Sequence, residues 1–95
     1  MPTQINQIDD NDRGITTLRI EGELLCDDAR LLERIGTEIR SETGNVIIVD
    51  VADLDFLDSE AAPILRRLDM LDGFSIQGME IFLQTVINEV ERHTA

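Results

Sequence analysis

A thiol nucleophile needs a base beside it, and this chain offers one cysteine, Cys26, and one histidine, His93. His93 lies at the end of the sequence, where chains fray, and no pattern brings it to Cys26. One Cys and one His do not make a closed four-ligand zinc site. There is no lysine, and no glycine-rich loop leads into a helix, so a phosphate-binding loop is absent. Two acidic sets remain. In Asp9-Asp10-Asn11-Asp12-Arg13-Gly14 the glycine falls where a helix–loop–helix calcium site needs it, but the closing position is Ile20 instead of a bidentate Glu. The segment after it is strand-like, so the reading is a solvated hairpin turn. Asp50, Asp53, Asp55 and Asp58 would recruit Mg²⁺ only weakly and read as an acidic rim. The expectation is no catalytic residue, no metal site, no cofactor and no enzymatic activity.

The segment Asp58-Ser59-Glu60-Ala61-Ala62-Pro63 carries more information. Proline is tolerated in the first turn of a helix and is costly further in, so a helix is expected to open near Ser59 or Glu60. Ser59 then sits at or beside the N-cap, with its hydroxyl near free backbone N–H groups. Two readings stay open. Ser59 is a capping serine, or it is an exposed phosphorylation site. A phosphate there adds a charge of roughly −2 beside Asp58 and Glu60, favoured by the helix dipole and opposed by the acids.

The charge balance limits the partners. Eight Arg stand against 20 Asp and Glu, for a net charge of −12. Such a surface repels nucleic-acid phosphates and anionic lipid, so nucleic-acid binding is not expected. A basic protein partner is matched electrostatically; the alternative is acid serving only solubility. No apolar run approaches the ~20 residues that span a bilayer, and the segment from Met1 to Asp12 is too polar for a signal peptide. A lone cysteine allows no intrachain disulfide and suits a reducing cytosol, so a cytoplasmic location is expected. The length of 95 residues fits one domain over 1–95.

The elements that position these residues follow from periodicity. Gln4 to Asp9 and Ile15 to Glu21 read as a hairpin, with Thr16, Leu18 and Ile20 on one face. Asp27 and Asp28 are helix-start acids for a helix reaching about Glu42, with Leu31, Leu32, Ile35 and Ile39 as its stripe and Gly44 as its stop. Val46 to Val49 is apolar on both faces, as in a central parallel strand. Leu54 to Leu57 reads as a connecting segment. The helix from Ser59 buries Ile64, Leu65, Leu68 and Leu71, and two ends stay open: Gly73 caps it, or Phe74 keeps its spacing and Gly78 caps it. Met79 to Leu83 reads as a strand, and Thr85 as the N-cap of a last helix with Val86, Ile87 and Val90 facing inward. The order β-β-α-β-α-β-α implies a small α/β domain: a mixed four-stranded sheet with about three helices packed on it.

The run Leu18-Arg19-Ile20-Glu21-Gly22-Glu23-Leu24, the strand Val46 to Val49, the loop Asp50-Val51-Ala52-Asp53-Leu54-Asp55-Phe56-Leu57-Asp58-Ser59 and the later Gly78-Met79-Glu80-Ile81-Phe82-Leu83 together resemble the STAS family, over about residues 5 to 92. That family is typified by bacterial anti-sigma factor antagonists. The resemblance implies a protein-interaction switch in signal transduction and transcription regulation. Its phosphoserine position falls on Ser59, and a serine kinase that is also the anti-sigma factor would be the partner. The surface expected to be covered holds Asp27, Asp58, Ser59 and Glu60. Leu25 stands where the family often has Asp, Glu60 and Ala61 replace a second hydroxyl residue and a Gly, and Pro63 is unusual. The family's final strand and helix are expected to be absent or reduced. The resemblance also allows a constitutive STAS subunit of an ABC transporter or a stressosome-like assembly, without a phosphorylation switch.

Overall fold

The computed structural model describes residues 3–80. Strands β1 (Gln4–Asp10) and β2 (Ile15–Leu24) form the expected antiparallel hairpin, with Asp10 opposite Ile15 at the turn. The acidic turn is closed by its own side chains. The Arg13 N–H donates to Asp10 Oδ1 at 3.3 Å, and the Arg13 guanidinium lies 3.8 Å from the same carboxylate.

Helix α1 (Cys26–Thr43) follows directly. Asp28, in its first turn, accepts the Leu25 N–H at 3.2 Å, which satisfies the donor just before the helix. The Thr3 hydroxyl lies 2.6 Å from the same Asp28 oxygen and ties β1's start to this turn. At the other end Gly44 takes φ 73°, and its N–H reaches the Arg40 carbonyl at 2.8 Å. The stripe differs at one position. Leu32 is buried and Ile35 and Ile39 pack on the core, but Leu31 points to solvent; Ala29 and Gly36 complete the inner face. Gly36 matters because a Cβ there would lie 2.7 Å from the Phe74 ring.

Strand β3 (Val46–Asp50) pairs in parallel with the first half of β2, matching Ile15 to Val46 and Leu18 to Val49. Strand β4 (Leu54–Leu57) pairs in parallel with the last residues of β2, matching Gly22 to Leu54 and Leu24 to Leu57. Helix α2 (Ala62–Met70) and strand β5 (Phe74–Gln77) complete the described chain, with β5 parallel to β3. The sheet is mixed, in the order β1-β2-β3-β5 with β4 attached to β2. Helices α1 and α2 touch each other and rest on the same core, as right-handed crossovers between parallel strands would place them. Leu18, Ile20, Leu24, Ile47, Val49, Val51, Ile64, Leu65 and Leu68 meet between the layers as the core.

The small α/β architecture is as expected, with five strands instead of four and two helices among the described residues. Leu54–Leu57 is a strand, because the C-terminal part of β2 has an edge that β3 does not reach. The strand after α2 is Phe74–Gln77, where Phe74 and Ile76 alternate inward opposite Ile47 and Val49; of the strand expected over Met79 to Leu83, residues 81–83 lie outside the described residues. Residues Met79 and Glu80 are helical. Phe74 therefore does not continue α2, and Leu71 is half-exposed at its C-cap. The helix expected from Thr85 lies outside the described residues.

Two local constraints hold the loops. Asn45, buried at 7% exposure, donates to the Thr16 hydroxyl at 3.1 Å, and that hydroxyl donates to Asp9 at 2.9 Å. This links the α1–β3 loop to the hairpin through a polar chain that runs from buried Asn45 and Thr16 out to exposed Asp9. Gly78, at φ +84°, sits so close to the β3–β4 loop that a Cβ would lie 2.6 Å from the Ala52 nitrogen.

Thr16→Val removes the acceptor of a buried amide and should lower unfolding free energy by about 1–3 kcal/mol, read as a lower urea midpoint at unchanged m. Gly78→Ala adds both strain at positive φ and a backbone clash, and should cost more than about 1 kcal/mol in the same measurement.

Candidate functional site

Because Leu24 and Leu57 are register partners on parallel strands, the chain leaves β2 and β4 side by side. The Asp58 N–H donates to the Leu24 carbonyl at 3.0 Å and extends this pairing by one residue. The start of α1 and the turn before α2 therefore sit at one end of the sheet. Asp27 is exposed in the first turn of α1, and Ser59 and Glu60 are exposed in the turn that Asp58 opens. All four residues singled out from the sequence come to this end.

The roles within the turn are not as the sequence suggested. Helix α2 begins at Ala62, later than Ser59 or Glu60, with buried Ala61 before it and Pro63 in its first turn. The residue that ties down the turn is Asp58. Its carbonyl accepts the N–H groups of Ala61 at 2.9 Å and Ala62 at 3.2 Å, and its carboxylate accepts the Glu60 N–H at 3.3 Å. Ser59 is not the N-cap. Its hydroxyl has no hydrogen-bond partner among the described residues and stands in solvent. The amides of Glu60, Ala61 and Ala62 are already engaged, so they are not the free donors that a capping serine would leave. The signal in the sequence was an Asp two residues before the amide it accepts, a turn-forming pattern that competes with serine capping.

Two apolar residues also stand exposed at this end. Leu25, between β2 and α1, is 42% exposed, and Phe56, on β4, is 49% exposed. With Asp27, Asp55, Asp58 and Glu60 close by in the chain, the surface combines apolar projections and carboxylates, a combination suited to a protein with basic residues around an apolar patch.

The second acidic set divides. Asp50 and Asp53 each lie 3.7 Å from the Arg19 guanidinium, and Asp50 also accepts the Ala52 N–H at 3.0 Å. These carboxylates brace the β3–β4 loop. Among the described residues no group of three or more His, Cys, Asp and Glu side chains is placed to hold a metal ion. Cys26 is half-buried at the start of α1, and His93 lies outside the described residues. A shallow groove beside α2, lined by Leu57, Leu65, Ile76 and Met79 with Arg66 and Asp69, presents one cation beside one anion. No described helix is long and apolar enough to cross a membrane.

This architecture is the STAS-domain fold: a β-hairpin continued by parallel strands, with helices on one face and an Asp-Ser turn at the strand ends. Among solved structures it is similar to an anti-sigma-factor antagonist STAS domain from Rhodobacter sphaeroides, with TM-score 0.57, 16% identity, and coverage of 83% of this chain and 89% of that one. It is also similar to the anti-sigma factor antagonist SpoIIAA in its unphosphorylated form, with TM-score 0.52, 18% identity, and coverage of 70% of this chain and 58% of that one. No family model and no curated protein matches the sequence.

The capping roles are separable by substitution. Asp58→Ala should lose about 1 kcal/mol of stability, while Ser59→Ala should change it by no more than about 0.5 kcal/mol. Thermal or urea unfolding of the two variants reads the difference, and equal losses would return the cap to Ser59.

Proposed function

We propose that this chain is a non-enzymatic protein-interaction module of the anti-sigma factor antagonist type, switched by phosphorylation of Ser59. The observation that carries the reading is the Ser59 hydroxyl: exposed, without a hydrogen bond among the described residues, and held on a turn whose backbone is fixed by Asp58. A kinase can reach such a hydroxyl without disturbing the core. The partner is a serine kinase that also acts as the anti-sigma factor, docked over Asp27, Asp58, Ser59 and Glu60. It binds the unphosphorylated form. The phosphate weakens binding by charge, since it adds roughly −2 to a surface already acidic, and the fold stays intact. The chain acts in the cytoplasm, as a single domain, and takes no cofactor.

A second reading is supported by the same turn. Asp58 already occupies the amides of Glu60, Ala61 and Ala62, and Glu60 supplies fixed negative charge where a phosphate would arrive. A constitutive subunit of an ABC transporter or a stressosome-like assembly needs no switch and tolerates both features.

Isolation from the native source with mass spectrometry separates the two. The switch reading expects a phosphopeptide carrying Ser59, recovery of a kinase with an ATPase fold of the histidine-kinase type, and loss of the modification in Ser59→Ala with partner binding retained. Phosphate elsewhere or nowhere, together with recovery of a transporter ATPase, would overturn the switch in favour of the subunit.

A further inference from the structure

Strand β3 is apolar on both faces, a composition that belongs in a sheet covered on both sides. Here α1 and α2 cover one face. Register places Ile8, Thr17 and Ile48 in one row across the other face, and Ile15 and Val46 in the next. Ile8 is 54% exposed and Val46 41% exposed, with Ile15, Thr17 and Ile48 half-buried between them. A solvated sheet face is normally polar at such positions. No described element packs over these residues.

The charges at the two ends of the patch restrict what can cover it. At the hairpin-turn end stand Asp10, Asp12 and Arg13, with Arg13 paired to Asp10. At the opposite end stand Arg19, Glu21, Asp50 and Asp53, with Arg19 lying between the two aspartates. Each end has more carboxylates than guanidinium groups, and the whole chain carries −12. Two copies face to face would bring acid to acid at both ends, whichever way they are turned. A partner with positive charge at both ends of an aliphatic stretch meets complementary charge at both.

We propose that this sheet face is a second docking surface, and that its occupant is a protein segment of aliphatic residues flanked by lysine or arginine. The surface is separate from the Ser59 turn and does not depend on the phosphorylation reading. It would let the chain hold one partner at the strand ends and another across the sheet.

The test is a methyl NMR titration of the full chain with a synthetic amphipathic peptide of leucine and lysine, beside a control peptide of leucine and glutamate. The expected result is that the methyl signals of Ile8, Ile15, Val46 and Ile48 move with the lysine peptide and stay still with the glutamate one. Affinity should fall about tenfold in the Ile8→Thr, Val46→Thr double variant and several-fold in Ile8→Thr alone. Both keep β-branched residues at exposed strand positions, and unmoved Leu18 and Leu65 methyl signals confirm folding. The proposal is overturned by shifts that centre on Asp58 or spread evenly over the acidic surface, or by affinity that ignores the substitutions. A dimer in the free protein that the double variant dissolves would also overturn it. So would contacts in the free protein from Ile8 or Val46 to side chains of residues 81–95, because the occupant would then be this chain itself.

Discussion

Strand β2 is the constraint on which the rest of this molecule depends. One of its edges is filled along most of its length by β1. The other is divided, with β3 on residues Ile15 to Arg19 and β4 on Gly22 to Leu24. Backbone donors and acceptors buried in a sheet have to be paired, so a ten-residue strand beside a five-residue neighbour needs a second partner for its remainder. β4 supplies it. That arrangement brings the chain out of β2 and β4 at the same end, and so sets the start of α1 beside the turn before α2. Leu18, Ile20 and Leu24 on β2 also form the base of the core against which both helices rest.

The loops at the ends of the sheet are held by small polar devices and close approach. A chain of 95 residues buries a limited core, so each such device is a sizeable part of the margin. Asn45, Thr16 and Asp9 tie one end of the sheet. Arg19, Asp50 and Asp53 brace the β3–β4 loop, and the missing side chain at Gly78 lets β5 approach that loop. At the far end of β4, Asp58 holds three amides of the turn with one carbonyl and one carboxylate. The exposed Ser59 is presented on backbone that is already satisfied, so chemistry on its hydroxyl changes surface charge more than structure.

Electrostatics gives the two candidate surfaces different characters. At the strand ends, carboxylates lie close in the chain to Leu25 and Phe56, and a phosphate would add to an existing negative field instead of creating one. A proposed switch of this kind works by degree: binding weakens as charge accumulates against a partner selected for basic residues around an apolar patch. On the bare sheet face the carboxylates lie at the two ends of an aliphatic centre, and Arg13 and Arg19 are drawn to neighbouring aspartates.

The sequence by itself determined the hairpin, α1 with its Gly44 stop, the β3 strand and the inward faces built on Leu18, Ile20, Leu32, Leu65 and Leu68. These rest on periodicity and turn chemistry that act over a few residues. The resemblance to STAS domains was legible from the order of short segments, and the fold agrees with it. What only the tertiary structure decided depended on partners far along the chain. Leu54–Leu57 became a strand because β2 had an open edge. Phe74 left the helical register because Ile47 lay opposite it, and Leu31 turned outward because the inner stripe of α1 was completed by Ala29 and Gly36. Ser59 lost the capping role because the paired ends of β2 and β4 fixed Asp58, whose oxygens then reached the amides first.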